Sequence, residues 1–259
     1  MPHNPASAPG LVSFVGAGPG DPELLTLKGR KAIESAALVL YAGSLVPRAV
    51  VDCASPNARV VDSAPLTLEE CHDLVRRTAL QSRSVARVHT GDPSLFGALR
   101  EQAALLDADG IPWRVIPGVT AACAAAAAAG LSFTIPEAAQ GLIICRAEGR
   151  TPVPEAQQPG ALAAHGAPLA VYLSSGSASS LQAQLLRSLP PRTPVLCAHR
   201  VGWPAEQLHW TNLENLAQCV TDNGLERQTI FLVLPSHHTP GAPSRLYAAD
   251  FSHACREKK

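Results

Sequence analysis

Two hydrophobic patterns alternate along most of the chain. Short apolar runs end at Gly, Pro, Ser or Asp, and segments with helical spacing follow them. In the first half the predicted strands are LVSFVG, ALVLYAG, ARVVDSA, SVARVHTGD and PWRVIPG. The segments between them predict helices, for example TLEECHDLVRRTALQ, SLFGALREQAALLDADG and a proline-broken helix near VPRAVVDCA. Nearly continuous apolar strands that alternate with helices predict a parallel, doubly wound α/β sheet.

The alternation of predicted strands and helices is interrupted at LSFTIPEAAQ and continues from Gly141. Four further strands are predicted at GLIICRAEG, APLAVYLSS, TPVLCAHRVGW and QTIFLVLPS, with helices such as SASSLQAQLLRSLP between them. We therefore expect two α/β domains, at residues 11–136 and 137–248, with tails at residues 1–10 and 249–259.

Composition and charge restrict the classes of function that this protein can have. Hydrophobic residues make up 46% of the 259 residues and aromatic residues only 4%, so we expect an aliphatic, alanine-rich core. Lys+Arg and Asp+Glu both number 21, which argues against a nucleic-acid-binding surface. No apolar run reaches the ~20 residues that span a bilayer, and MPHNPASAPG does not resemble a signal peptide.

The cysteines and histidines favour neither disulfides nor a metal site. The seven cysteines are scattered without C-x-x-C spacing, which is typical of reduced thiols and predicts a cytoplasmic protein. The pair His237-His238 lies in a Ser/Pro/Gly-rich stretch with no third ligand nearby in sequence. We therefore expect no metal.

The turn in VSFVGAGPGDPELLTLKG is rich in glycine, which often indicates phosphate binding. However, Gly16, Gly18 and Gly20 are spaced G-x-G-x-G, and not G-x-G-x-x-G as in dinucleotide-binding proteins. Pro19 removes a backbone donor, and Asp21 places a negative charge where an anion would bind. The alternative is a tight strand-to-helix connection, with Asp21 as helix N-cap and a proline at the first helical position.

The turns after the predicted strands point to a ligand without phosphate. In a doubly wound sheet, ligands bind beyond the carboxyl ends of the strands. Here those turns are GAGPGDP, YAGSLVP, HTGDPSLFG, PGVTAA, RAEGRTPVPE and YLSSGS, which are poor in Lys. This composition favours a neutral or cationic ligand. Asp92 is the strongest carboxylate candidate, and its alternative role is N-cap of the next helix.

Taken in order, the motifs of this chain resemble those of a known protein family. VGAGPGDPELLTLKG, YAGSLVP, VHTGDPSLFGALREQ, IPGVTAACAAAAAAG, RAEGRTPVPE and HRVGWPAEQ stand in this order along the chain. Together they resemble the tetrapyrrole methylase family, and YAGSLVP and EGRTPVPE resemble its precorrin-4 branch. The resemblance implies a homodimer of two-domain subunits, with a mixed sheet in the second domain and S-adenosylmethionine in the cleft between the domains. It also implies methylation at carbon 11 of precorrin-4 or cobalt-precorrin-4 in cobalamin biosynthesis.

The resemblance further assigns residues by motif. The expected cofactor contacts are Pro19, Thr90, Gly91, Asp92, Thr120, Ala121, Leu173, Thr229 and Ile230. The expected substrate contacts are Tyr41, Ser44, Arg146 and Arg150. Asp21 is the candidate catalytic residue, which would steer the substrate or accept a proton. Arginines suit the carboxylates of a tetrapyrrole, but each arginine, Arg48 included, has an ordinary solvated surface role as its alternative.

Two other functions stay open. One is another methyltransferase of the same fold, acting on ribosomal RNA or on a modified protein histidine. The balanced charge and the YAGSLVP motif speak against it. The other is a non-catalytic module that only binds the cofactor, and the intact strand-end turns speak against that. Whether the substrate contains cobalt also stays open.

Overall fold

The computed structural model describes residues 8–244, 251, 252 and 254, which form two compact units. The first unit comprises the described residues up to Ala124, together with Arg200–Ala205. The second comprises Ala125–His199 and the described residues from Glu206 onward. The loop Arg200–Ala205 thus belongs with the first unit. A single domain boundary along the sequence therefore cannot separate the two units. Of the predicted tails, residues 1–7, 249, 250, 253 and 255–259 lie outside the described residues.

The first unit contains a parallel five-stranded sheet, as the sequence predicted. Its strands are β1 (Val12–Gly16), β2 (Leu38–Tyr41), β3 (Arg59–Asp62), β4 (Val85–His89) and β5 (Trp113–Ile116). Their order across the sheet is β3-β2-β4-β1-β5. In the central register, Phe14 of β1 pairs with Arg87 of β4 and with Val115 of β5. The carboxyl ends of all five strands therefore lie at one edge.

Helices follow the strands of the first sheet, and residues on both of its faces are buried. The helices are α1 (Leu27–Glu34), α2 (Arg48–Val51), α3 (Leu68–Ala79) and α4 (Leu99–Ala108). Alternate residues of each strand join two core clusters. Val15 and Val88 pack with Ile33 and Val50 of α1 and α2. In the second cluster, the residues from α3 and α4 are Val75 and Leu106. They pack with the strand residues Phe14, Leu40 and Val85. The sheet is therefore doubly wound.

The second unit contains a mixed five-stranded sheet, as the family resemblance implied. Its strands are β6 (Ile143–Arg146), β7 (Leu169–Tyr172), β8 (Pro194–His199), β9 (Gln207–Asn212) and β10 (Thr229–Val233). Their order is β6-β7-β10-β8-β9. β6 and β7 are parallel, whereas β10 and β9 run antiparallel to their neighbours. The strand β9 was missed from the sequence.

The remaining helices are α5 (Ala121–Ala128), α6 (Pro159–Ala163), α7 (Ala178–Leu185) and α8 (Leu216–Asp222). Leu181 and Leu185 of α7 and Leu216 of α8 pack against Val171 and Phe231 of the second sheet. One core therefore covers the sheet on the side of these helices.

Candidate functional site

The backbone N–H groups of the first glycine-rich turn already donate hydrogen bonds to neighbouring backbone. Gly18 N donates to Gly91 O at 3.2 Å, and Gly91 N donates back to Gly18 O at 2.7 Å. Ala17 N donates to His89 O at 2.8 Å, and Pro19 has no N–H. A phosphate site needs backbone N–H groups that are free to point at the anion. Residues 17–19 therefore offer no donor to a phosphate.

Three glycines bring the ends of β1, β4 and β5 together. A Cβ on Gly16 would lie 2.5 Å from Gly118 N, and a Cβ on Gly118 would lie 2.2 Å from Gly91 O. Real Cβ atoms do not approach backbone this closely, so each larger residue would force the backbone to move. The ends of these three strands are consequently packed backbone against backbone.

Trp203 covers the same turn from a loop much later in the chain. Its Nε1 donates to Pro19 O at 3.2 Å, and a Cβ on Gly20 would lie 2.4 Å from its ring. A Cβ on Gly202 would lie 2.9 Å from Asp21 N. Trp203 therefore fixes the backbone of Pro19, a predicted cofactor contact. The sequence contains the motif HRVGWPAEQ, but the motif alone does not indicate which turn its tryptophan contacts.

Asp21 caps a short 3-10 turn, Pro22–Leu24. Its Oδ1 accepts a hydrogen bond from Glu23 N at 2.8 Å. The N-cap interpretation is confirmed for this turn but not for α1, which is capped by Thr26 through a 3.0 Å hydrogen bond from Gly29 N. A role of Asp21 toward the substrate stays a prediction.

Asp92 joins the turns after β4 and β5. Its Oδ1 accepts hydrogen bonds from N and Oγ of Ser94, at 2.9 and 2.5 Å, and its Oδ2 accepts one from Gly118 N at 2.9 Å. Partial burial acts to raise the pKa of Asp92, but these three hydrogen bonds outweigh it and lower the pKa below 3.8. Asp92 is therefore ionised at neutral pH. Its interpretation as N-cap of α4 is wrong, because Ala98 holds that position.

The helix α4 also begins later than predicted. Phe96 and Ala98 have φ values of 56° and 49°, in the left-handed region, so the chain from Ser94 to Ala98 cannot be helical. Strained residues of this kind often mark functional loops.

The other predicted cofactor contacts of the first unit lie beside Asp92. A Cβ on Gly91 would lie 3.8 Å from Thr120 Cα and 3.9 Å from Ala121 N. Thr90 precedes Gly91 and is exposed. The structure thus brings these residues together at the carboxyl edge of the parallel sheet.

Leu173, Thr229 and Ile230 share one edge of the second sheet. β7 and β10 are antiparallel, and Val171 pairs with Phe231, so the carboxyl end of β7 meets the amino end of β10. Leu173 follows β7 directly, is 67% exposed and has a φ of 53°. A leucine held in the left-handed region at this exposed position is strained.

His199 supports this edge and was missed from the sequence. It pairs with Thr229 in the ladder between β8 and β10, and its Nδ1 lies 2.9 Å from Thr229 Oγ1. Thr229 Oγ1 also donates to Leu225 O at 2.8 Å. Both residues are buried. The Thr229 side chain is therefore held in place, and its contact with the cofactor stays a prediction.

The two arginines of RAEGRTPVPE differ in their contacts. Arg146 ends β6, and its Nη1 and Nη2 donate to Thr151 O at 3.2 Å and to Pro152 O at 2.8 Å. Arg146 therefore shapes the loop that follows. Arg150 is exposed, and its guanidinium contacts no partner among the residues that the structure describes.

The YAGSLVP segment lies at the end of β2. Tyr41 is buried in the core, and its carbonyl accepts a hydrogen bond from Ser63 N at 2.8 Å. Hydrogen bonds to Asp52 and to Tyr41 raise the pKa of Arg48, which lies at the surface. Arg48 is thus an ordinary surface arginine. Ser44 is exposed in the same loop.

The described residues hold neither a cluster suited to a metal ion nor a helix suited to a membrane. Residues 8–244, 251, 252 and 254 contain no group of three or more His, Cys, Asp or Glu side chains that fits a metal ion. Over the same residues, no helix is sufficiently long and apolar to cross a bilayer.

Comparison with known proteins decides the family. The family model for tetrapyrrole (corrin/porphyrin) methylases matches residues 11–217. The chain belongs to the tetrapyrrole methylases. This methylase is 38% identical over 249 residues to a cobalt-precorrin-4 C(11)-methyltransferase of Priestia megaterium, covering 94% of this chain and 96% of the relative. It is 39% identical to the precorrin-4 C(11)-methyltransferase of Pseudomonas aeruginosa, covering 95% and 98%.

Solved structures agree with this family. A crystal structure of a cobalt-precorrin-4 methyltransferase of cobalamin biosynthesis has 38% identity and a TM-score of 0.83, covering 86% of this chain and 94% of that one. A uroporphyrin-III C-methyltransferase of Thermus thermophilus, complexed with S-adenosylhomocysteine, has 31% identity and a TM-score of 0.70, covering 86% and 92%. The two-domain α/β fold of this tetrapyrrole methylase is therefore that of its family.

Proposed function

We propose that this methylase transfers a methyl group from S-adenosylmethionine to carbon 11 of precorrin-4 or of cobalt-precorrin-4. The observation that carries the proposal is the 38–39% identity to enzymes of these names over nearly the whole chain. The motifs YAGSLVP and EGRTPVPE, which resemble the precorrin-4 branch, support the same substrate.

The residues of the first unit fit S-adenosylmethionine. The backbone N–H groups of residues 17–19 are occupied or absent, which suits a ligand without phosphate. The carboxylate of Asp92 forms no ion pair within the described part of the chain, and a sulfonium cation would be attracted to it. Pro19, Gly91, Thr120 and Ala121 would hold the cofactor against the closely packed backbone.

The bound cofactor supplies an electrophilic methyl group on a good leaving group, and a ring carbon of the electron-rich tetrapyrrole is the nucleophile. The protein's task is then to align the reacting atoms and to exclude water. In the second unit, Leu173, Thr229 and Ile230 would contact the cofactor at their shared sheet edge. Asp21 would steer the substrate or accept a proton, and Arg146, Arg150, Tyr41 and Ser44 are the proposed substrate contacts.

A homodimer and a cytoplasmic location are further parts of the proposal. The homodimer is implied by the family resemblance. The cytoplasmic location is favoured by the seven scattered cysteines. Sedimentation of the purified protein would measure the oligomeric state.

The decisive experiment is methyl transfer from radiolabelled S-adenosylmethionine to three tetrapyrroles. Metal-free precorrin-4 and cobalt-precorrin-4 test the proposed reaction and decide which form is preferred. Uroporphyrinogen III tests the activity of the more distant relatives. We expect label in a precorrin-4 product methylated at carbon 11. Label only in the uroporphyrinogen product, or cofactor binding without transfer to any tetrapyrrole, would contradict the proposal.

A further inference from the structure

A hollow lies in the first unit, on the face of the parallel sheet that α3 and α4 cover. Its volume is about 320 Å³, at the lower end of the range of ~300–1,000 Å³ typical of small-molecule sites. Its wall is formed by the turns after β2, β3 and β4 and by the first turns of α3 and α4. The residues used below are Ser63, Arg87, His89, Gly97, Glu101 and Gln102.

Arg87 contributes a partly buried positive charge to this wall. Its Nε donates to Gln102 Oε1 at 3.0 Å, and its Nη1 donates to Ser63 Oγ at 2.8 Å and to Leu40 O at 3.3 Å. All three acceptors are neutral. No described carboxylate pairs with Arg87, and its Nη2 donates to no described residue. Charges that are removed from water are normally paired, so the partly buried Arg87 can still pair with a carboxylate that enters the hollow.

His89 lies two residues further along β4, and therefore on the same face of the sheet. It is 6% exposed, and its Nε2 is buried without a hydrogen-bond partner. Burial, aided by the nearby charge of Arg87, lowers the pKa of His89 to about 3, so the ring is neutral at physiological pH. In the tautomer with the proton on Nε2, this nitrogen is an unused donor.

An arginine without a carboxylate partner and a buried imidazole nitrogen without a partner belong to residues that line one cavity, and together they fit a single carboxylate. We propose that this hollow binds one carboxylate side chain of the tetrapyrrole, with Arg87 and His89 as its hydrogen-bond donors. The inference rests on the proposed function, since it names a subsite for the same substrate. The volume suits a side chain and not a whole macrocycle. Glu101, a carboxylate of the wall, is exposed and forms no ion pair with Arg87.

The strained turn above the hollow supports this assignment. Phe96 and Ala98 flank Gly97, and all three line the cavity. Both flanking residues adopt left-handed φ values, which cost energy unless the surrounding structure holds them. The turn thus lines the hollow in a conformation that differs from a regular helical start.

The test compares a stable porphyrin that carries acetate and propionate side chains with its methyl ester. Fluorescence titration gives the dissociation constant of each form, and calorimetry with S-adenosylhomocysteine gives cofactor affinity separately. Wild-type protein should prefer the free acid. His89→Leu and Arg87→Gln should each weaken binding of the free acid about ten- to hundredfold and leave binding of the ester nearly unchanged. Arg87→Lys should recover part of the loss.

Arg114→Gln is the matched control, because Arg114 is also a strand arginine of this sheet but does not line the hollow. It should keep the wild-type preference. His89→Leu replaces one neutral side chain by another, so it remains informative if Arg87→Gln does not fold; circular dichroism checks both. Folded variants that retain the wild-type preference for the free acid would overturn the subsite. An absence of methyl transfer and of cofactor binding by the wild type would instead overturn the proposed function.

Discussion

At the scale of single residues, the site depends on side chains that hold backbone in place. Asp92 and Trp203 both act in this way. Asp92 links the turn after β4 to Gly118 in the turn after β5, and Trp203 holds the carbonyl of Pro19. Their removal should therefore change ligand affinity through the geometry of the turns.

Asp92→Ala should affect both stability and cofactor affinity. The variant leaves the N–H of Gly118 without its acceptor, which should cost about 1 kcal/mol at this partly exposed position. The same change removes the negative charge beside the proposed cofactor contacts. Thermal unfolding and calorimetric titration with S-adenosylhomocysteine measure the two effects. Loss of stability with unchanged affinity would make Asp92 a structural residue only.

The hydrogen bonds of Asp92 also give a pH dependence of definite sign. Because the folded-state pKa is lowered below 3.8, its stabilisation is present above that ordinary value and is lost as the pH falls through the folded value. The difference in free energy of unfolding between wild type and Asp92→Asn should therefore be constant from about pH 5 to 8 and shrink below about pH 4. Urea titrations over this range measure it. A difference that persists unchanged at pH ~2 would contradict the assignment.

Trp203→Ala should weaken cofactor binding, because it removes the ring that covers Gly20 and the donor to Pro19 O. Trp203→Phe keeps an aromatic ring at this position but loses the donor to Pro19 O, so it should weaken cofactor binding less than Trp203→Ala does. Trp210→Ala is the control, because Trp210 is an exposed tryptophan of the second unit. Equal cofactor affinities in Trp203→Ala and Trp210→Ala would show that the Trp203 ring over Gly20 has no role in cofactor binding.

At the scale of elements, the small-residue run TAACAAAAAAG predicts a helix that ends at Gly130 and packs closely against a neighbour, and the helix α5 tests this prediction. Gly130 has a φ of 64°, Gly130 N donates to Ala127 O at 3.1 Å, and Leu131 N donates to Ala126 O at 2.8 Å. These two bonds form a Schellman motif, which needs a residue in the left-handed region. The prediction that Gly130 ends this helix is confirmed. Ala125 and Ala126 are 0% and 5% exposed, so this face of the helix is buried as predicted.

Ala125→Leu should lower the free energy of unfolding by ~1–3 kcal/mol, because a buried alanine leaves no room for three more carbon atoms. Ala127→Leu is the matched control on the exposed side of the same helix and should change stability by less than about 0.5 kcal/mol. Urea unfolding of both variants is the measurement. Equal stability of the two variants would mean that the buried face of α5 is not closely packed.

At the scale of the whole molecule, charge is balanced, with 21 basic and 21 acidic side chains. Attraction of a polycarboxylate must therefore come from local cations and not from the overall field. Arg150 is such a cation, since it is exposed and its guanidinium contacts none of the described residues. Its alternative is a surface pair with Glu148 or Glu155, and neither pair forms among the described residues; Glu148 Oε2 instead accepts a hydrogen bond from Gln158 at 3.1 Å.

Arg150→Ala should raise the apparent substrate constant about tenfold to hundredfold and leave cofactor affinity nearly intact. Arg150→Lys should rescue only part of the loss, because lysine lacks the planar fork. Arg48→Ala is the control, since Arg48 already pairs with Asp52 at the surface. Steady-state kinetics with the tetrapyrrole at two salt concentrations are the measurement. A wild-type constant in Arg150→Ala would remove this residue from the site.

The sequence by itself determined the two α/β units, the parallel first sheet, the capped end of α5 and the family, because hydrophobic period, turn residues and motifs are local patterns. It missed β9, since QLHWTN is a largely exposed edge strand without a clear apolar face. Only the tertiary structure decided the contacts between distant segments. These include the hydrogen bond of Asp92 to Gly118, the contact of Trp203 with Gly20, and the hydrogen bonds of Arg87 to Leu40 O and Ser63 Oγ. Each joins groups that only strand order and loop packing bring together, and such pairing leaves no periodic signal along the chain.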